Sequence, residues 1–241
     1  MSDPTPSEPP GGPRDVVKYT FFHVRPEWRR RPASERREAR EEFARTLERP
    51  IADLLWRTYS LVGTRAEADL LLWTIAPRLE PIQTLHGRLN ATALAGYLDV
   101  PYSYLGMARR SEYLGEHAHG GEGSSARRRP LDRPYLFVYP FIKKREWYGL
   151  PFEERRRIMA EHFRIGHRYP SVEIHTGYSF GLDDMEFILA FEADDPATFL
   201  DLVAELRPSE ASRYTALETP IFTARQMDVR EALALADGAP E

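Results

Sequence analysis

The chain has 241 residues, a formal net charge of -4, 42% hydrophobic residues and no cysteine. That much apolar material supports a real core. The composition excludes disulfides, thiolate nucleophiles and cysteine metal ligands, and the acidic balance gives no general attraction to nucleic acid.

Residues 1–15 are acidic and Pro-rich, and read as a disordered tail rather than a secretory signal. Lys18 to Val24 is an aromatic and β-branched run, hence a strand. Ala33 to Leu47 carries apolar residues at Ala39, Phe43 and Leu47, the spacing of an amphipathic helix. Ile51 to Leu61 and Asp69 to Ile75 read as strands around a turn at Gly63-Thr64. Leu79 to Leu89 is a second helix, and Tyr102 to Met107 supplies a closing strand. Residues 113–130 form a Gly/Ser-rich linker with His117 and His119. The order then recurs: strand Pro134 to Ile142, helix Pro151 to Arg168, strands Val172 to Phe180 and Met185 to Glu192, helix Pro196 to Leu206, strand Ala216 to Thr223. Residues 225–241 read as a short C-terminal tail, packing weakly through Val229, Ala232 and Leu233. No apolar run reaches the roughly 18 residues that a membrane span needs.

The recurrence is also visible residue by residue. Pro32 to Phe43 aligns with Pro151 to His162, and Gly63 to Trp73 with Gly181 to Phe191, at separations of 119 and 118 residues. Two units, 16–112 and 131–224, are therefore expected. Each has the β-α-β-β-α-β order of a ferredoxin-like unit. The fold class is α+β, and joining the two sheets into a dimeric α+β barrel is the simplest way to cover their faces.

The copies differ where chemistry could reside. Phe43 in the first stands where His162 stands in the second. His162 is either a half-buried helix histidine or an axial metal ligand; a single imidazole cannot hold a bare ion, so the metal would arrive inside a cofactor such as haem. Glu210 is a candidate carboxylate partner for its free ring nitrogen. Tyr139 is either a packed aromatic or a redox phenol, sharing a strand face with Phe137 and Phe141. Lys143 to Tyr148 is either a solvated loop or a basic segment for ligand carboxylates, a role open also to Arg207 and Ser212. Asp183, Asp184 and Glu186 sit at a tight turn, where acidic residues have turn roles. His167 and His175 lack the i,i+4 spacing to His162 of a helical zinc motif.

Tyr135-Leu-Phe-Val-Tyr-Pro-Phe-Ile-Lys-Lys-Arg-Glu-Trp147, Leu150 to His162, Tyr178-Ser-Phe-Gly-Leu-Asp-Asp184 and Glu210-Ala-Ser-Arg-Tyr214 together resemble the chlorite dismutase-like haem proteins, most closely their coproheme decarboxylase branch. The resemblance runs over residues 16 to 224. It implies haem or Fe-coproporphyrin III as cofactor, with His162 as the iron ligand. It further implies oxidative decarboxylation of coproheme to haem b with hydrogen peroxide, through a radical on Tyr139. Lys143 matches a lysine near the reactive propionate or the proximal network, and Ser212 a propionate-binding serine. Arg129 and Arg133, with Arg127, lie where propionate-binding arginines occur. Chlorite-degrading relatives carry a distal arginine where this chain has Ile174 or His175, and without a guanidinium there chlorite chemistry is disfavoured. His175 is a candidate distal base, as are His117 and His119. The alternatives are a haem peroxidase, a weak chlorite-degrading protein or a non-enzymatic haem binder. A cytoplasmic homo-oligomer, a pentamer by family likeness, and a transient contact with coproporphyrin ferrochelatase complete the expectation.

Overall fold

The computed structural model describes residues 14–109, 111–113 and 129–238. Residues 1–13 of the expected 1–15 tail, His117, His119 and Arg127 lie outside them. Asp15, at the end of that expected tail, is buried, and its carbonyl accepts from the Ala108 amide at 2.7 Å. The first half runs β1 (Val16–Val24), α1 (Ala33–Glu48), β2 (Leu55–Ser60), β3 (Leu70–Ala76), α2 (Leu79–Asn90) and β4 (Leu98–Ala108). The second runs β5 (Tyr135–Lys143), a short α3 (Arg145–Gly149), α4 (Phe152–Gly166), β6 (Val172–Tyr178), β7 (Phe187–Ala193), α5 (Pro196–Leu206), β8 (Thr215–Leu217), β9 (Phe222–Gln226) and α6 (Val229–Ala236).

Local chemistry sets the boundaries. The Asp195 carboxylate caps α5 by accepting from the Ala197 amide at 3.2 Å, and Pro196 occupies the first turn, where a missing N–H costs nothing. The sheet is antiparallel throughout. β4–β1–β3–β2 is the pairing order in the first half, and β9–β5–β7–β6 repeats it in the second. Two short seams join the halves: β2 to β9 through Tyr59 and Ser60, and β4 to β6 through Met107 and Ala108. At the second seam a Cβ on Gly106 would lie 2.8 Å from Ser179 Oγ, so the close approach of the strands requires glycine.

Strand alternation divides the core. One set of side chains from both halves forms a shared interior: Tyr19, Phe21, Trp73, Leu136, Val138, Ile188 and Phe222. The opposite face of the first half packs Phe22, Leu70 and Leu72 against α1 and α2. The opposite face of the second half packs Phe137, Tyr139 and Phe191 against Phe199 of α5.

The C-terminal segment departs from the sequence reading. It is a helix, and Val229, Ala232, Leu233 and Ala236 are buried in the first half's core beside Phe43 and Leu47. Its Asp228 cap accepts from the Arg230 amide at 2.8 Å, and the Arg230 guanidinium meets Glu41 and Glu48 of α1, each at 2.9 Å. The expected single strand from Ala216 to Thr223 is two strands, and β9 extends to Gln226, past the expected unit end at 224. β4 begins four residues before the expected Tyr102, at Leu98. No helix among the described residues is long and apolar enough to cross a membrane.

Candidate functional site

On β5, Phe137, Tyr139 and Phe141 point toward α5, while Leu136 and Val138 point into the shared interior. The Tyr139 ring lies flat beside Phe191, with centroids 6.0 Å apart and planes 18° apart. Phe137 stacks on Phe199 at 3.9 Å, which fixes α5 on this face. Burial raises the Tyr139 phenol above its ordinary range, and the Arg207 cation opposes that. The phenol therefore keeps its proton at any physiological pH.

Lys143 ends the same strand. Its Nζ donates to the Ala211 carbonyl at 3.2 Å and lies 4.5 Å from the centre of the Trp147 ring. Burial pushes the amine down to about 8, against the pull of Glu186. His162 lies on α4 and is half-buried. Desolvation, and then the nearby Lys143 cation, push the imidazole down to about 4, so it is neutral, the form that binds a metal. No group of three His, Cys, Asp or Glu able to hold an ion occurs among the described residues. A metal at His162 would have to bring its other ligands with it.

α4 does not share the apolar cluster on the β5 face. Its Ile158 and Met159 pack with Trp147, Ala211 and Tyr214, whereas Tyr139 packs with Phe191 and Phe199. The two apolar clusters stay separate, and the one that holds Tyr139 is built of stacked aromatic rings. This fits a planar, largely apolar group whose metal takes one imidazole.

The remaining expected residues divide. Ile174 lies on the Tyr139 face of β6. His175, its neighbour, faces the other way: it is 2% exposed, its ring meets Trp73 edge to face, and its Nε2 lies 2.7 Å from Glu192 Oε2. Alternation along β6 decides this, so His175 is corrected from candidate distal base to a buried interior residue. Glu210 pairs with Arg157 of α4 at 2.8 Å, and its amide lies 3.5 Å from the carboxylate of Glu161, the residue before His162. Ser212 is half-buried in the 3-10 turn Glu210–Tyr214, next to the Ala211 carbonyl that holds Lys143. Arg207 is the C-cap of α5 and pairs with Glu218. Arg133 pairs with Asp194 at 2.5 Å. Arg129 lines a 260 Å³ cavity with Asp15, Asp53 and Ile75 of the first half, which removes it from the residues brought together around Tyr139. A larger groove of 710 Å³, lined by Trp56, Arg57, Asp132 and Met227, lies at the β2 edge.

Three residues at the site escaped the sequence reading. Phe191 and Phe199 supply the aromatic wall, and β7's alternation of Phe187, Leu189 and Phe191 was the signal for the first. Glu186 had been read as part of a turn. Its Oε2 accepts from the Lys143 amide at 2.8 Å and the Tyr148 hydroxyl at 2.5 Å.

The family model described as Chlorite dismutase matches residues 36–227. The chain belongs to the chlorite dismutase family. A relative named coproheme decarboxylase, from Mycolicibacterium smegmatis, is 36% identical over 177 residues, 73% of this chain and 74% of that protein. Two structures of chlorite dismutase from Candidatus Nitrospira defluvii share the fold at 24% identity. A mutant superposes with a TM-score of 0.83, and the imidazole complex with 0.82. Both cover 92% of this chain and 95% of theirs. The family's α+β fold, with its antiparallel sheet and flanking helices, is the fold of this chain.

Proposed function

We propose that this protein is a coproheme decarboxylase, converting Fe-coproporphyrin III to haem b with hydrogen peroxide. The observation that carries the reading is Tyr139: a buried, protonated phenol on the aromatic wall, on the strand that also carries Lys143. The relative of that name supports the same reaction. The alternative of chlorite degradation loses support from Ile174, which puts an aliphatic side chain on the face where a guanidinium would hold an oxychlorine anion.

In this reading His162 would hold the iron through its neutral imidazole, and the apolar residues around Tyr139 and around Trp147 would keep water from the bound group. The bound iron porphyrin supplies the oxidising power drawn from peroxide. Tyr139 would first give up its phenolic hydrogen atom to that oxidant. Its oxygen would then take a hydrogen atom from the propionate and become a phenol again. Loss of carbon dioxide, with one further electron passing to the oxidant, would leave the vinyl group, a sequence for which a ring fixed by stacking is suited. Lys143, Arg207, Arg133 and Ser212 are the groups offered to carboxylates. The repeated pairing order supports reading the halves as ferredoxin-like units, 16–112 and 131–224, joined as a dimeric α+β barrel. A homopentamer in the cytoplasm, with transient contact to ferrochelatase, belongs to the same proposal.

The test is to mix purified protein, coproheme and peroxide and follow the product by mass spectrometry. Stepwise conversion of two propionates to vinyl groups is expected. Coproheme that binds and is never decarboxylated overturns the reading.

A further inference from the structure

Glu186 stands at the start of the β6–β7 hairpin's second arm, 8% exposed, with its backbone carbonyl accepting from the Ser179 amide at 2.8 Å. One of its carboxylate oxygens takes two bonds from the chain segment that leaves β5. The first comes from the Lys143 amide at 2.8 Å, the second from the Tyr148 hydroxyl at 2.5 Å. Arg145 Nη1 approaches the other oxygen at 3.7 Å. The segment between the two donors contains α3 and Trp147, which is 2% exposed and lies under the Lys143 ammonium.

A carboxylate bonded to both ends of a short segment fixes its turn. We propose that Glu186 is a positioning residue: by clamping Lys143 and Tyr148 it sets the β5–α3 corner so that the Lys143 ammonium stays over Trp147 and on the Ala211 carbonyl. The clamp rests on the reading of Lys143 as a site residue only for its effect on turnover. Its effect on geometry stands alone. A buried carboxylate accepting two hydrogen bonds, one from a tyrosine, is a strong fixed point, because an unmade bond there leaves a desolvated acceptor. Tyr148 and Arg145 are exposed, so the clamp closes from the solvent side of the buried Glu186 carboxylate.

The sequence makes a direct test simple. Lys18, Lys143 and Lys144 are its only lysines. Full-length apo-protein carrying 13Cε-labelled lysine gives three ε-methylene NMR signals, and loss of one in Lys143→Arg assigns Lys143. The rings of Trp147 and Phe141, at 4.5 and 5.3 Å, shift that signal upfield. In Glu186→Leu it moves back toward the position of free lysine. In Tyr148→Phe, which cuts one bond at a half-exposed side chain, it moves part of the way. In Glu186→Gln, whose amide oxygen still accepts, it stays. A Lys143 signal unmoved in both Glu186→Leu and Tyr148→Phe overturns the proposal, and if Glu186→Leu does not fold the Tyr148→Phe signal decides alone.

With coproheme and peroxide, Glu186→Leu is expected to lower kcat about tenfold, the displacement of Lys143 costing on the order of one hydrogen bond at the site. The double variant with Lys143→Met should be no slower than Lys143→Met alone, the non-additivity of residues acting as a unit. Additive losses contradict action through Lys143. A wild-type protein that shows the NMR pattern without decarboxylating coproheme would remove the functional reading and leave the clamp intact.

Discussion

Phe22 and Phe43 meet edge to face, with ring centroids 6.3 Å apart. The residues in the same places of the second half are Tyr139 and His162. Facing supports the match: Phe22 and its partner Leu70 both turn to the helices of their half, as do Tyr139 and its partner Leu189. This sets Leu70 against Leu189, one residue off the 118-residue sequence alignment. In the first half the space between sheet and helix is closed by hydrocarbon. In the second the same two positions carry a phenol and a neutral imidazole, and the sheet and helix belong to separate apolar clusters.

That contrast makes the two polar residues separable. His162→Ala should change the visible spectrum of the iron-loaded protein, because the axial nitrogen is gone. Tyr139→Phe should leave the spectrum and coproheme affinity close to wild type, while vinyl formation falls by on the order of a hundredfold or more, the scale of one positioned proton-transfer group. An unchanged spectrum in the first variant, or normal turnover in the second, refutes the respective role.

Removing one partner of a fully buried pair leaves the other desolvated. His175→Leu should therefore lower stability by about 3 kcal/mol, read from urea midpoints, because Glu192 loses a 2.7 Å contact. The folded variant should retain its kcat for coproheme. Abolished turnover with unchanged stability would restore His175 as a distal base.

Leu233 is 2% exposed in the core beside Phe43, whereas Leu200 on α5 is 65% exposed. Leu233→Ala should cost about 2–5 kcal/mol in transfer and cavity terms, and Leu200→Ala within about 0.5 kcal/mol of nothing. Chemical denaturation compares them directly. Equal losses would mean that α6 is not part of the core.

His86 lies 3.3 Å from Thr20 Oγ1, with its imidazole held below the ordinary 6.5 by burial first and the Lys18 cation second. The unfolded chain then binds more protons than the folded one just below pH 6.5. The contribution to stability is complete above that pH and is lost as pH falls through the folded value. His86→Gln should therefore lose less stability than wild type on acidification from pH of about 7.5 to about 5.5. Parallel losses in the two proteins would exclude His86 as the source.

The helix α5 was legible to the residue, because Asp195 and Pro196 mark its start and the apolar spacing carries it to Leu206. His162 and Tyr139 were legible as positions but not as a pair, since the 119-residue repeat identifies the helix site and alternation identifies the strand face. The choice between Ile174 and His175 needed the register with β7, which sets Ile174 opposite Phe191 and His175 opposite Ala190. The pairing of Glu210 with Arg157 was not legible, because the two lie on different elements 53 residues apart. α3 is too short for periodicity to reveal. α6 was readable in principle: Val229, Ala232, Leu233 and Ala236 follow helical spacing behind an Asp cap, and their burial depends on α1, nearly 200 residues away in sequence.

That last contact sets an order of assembly. Ribosomal synthesis delivers α1 and its apolar face first, and the helix that covers Phe43 and Leu47 only after the whole second half. The half that emerges first must therefore wait for α6 before its own interior is sealed, and a fragment ending near residue 112 would carry that open face permanently.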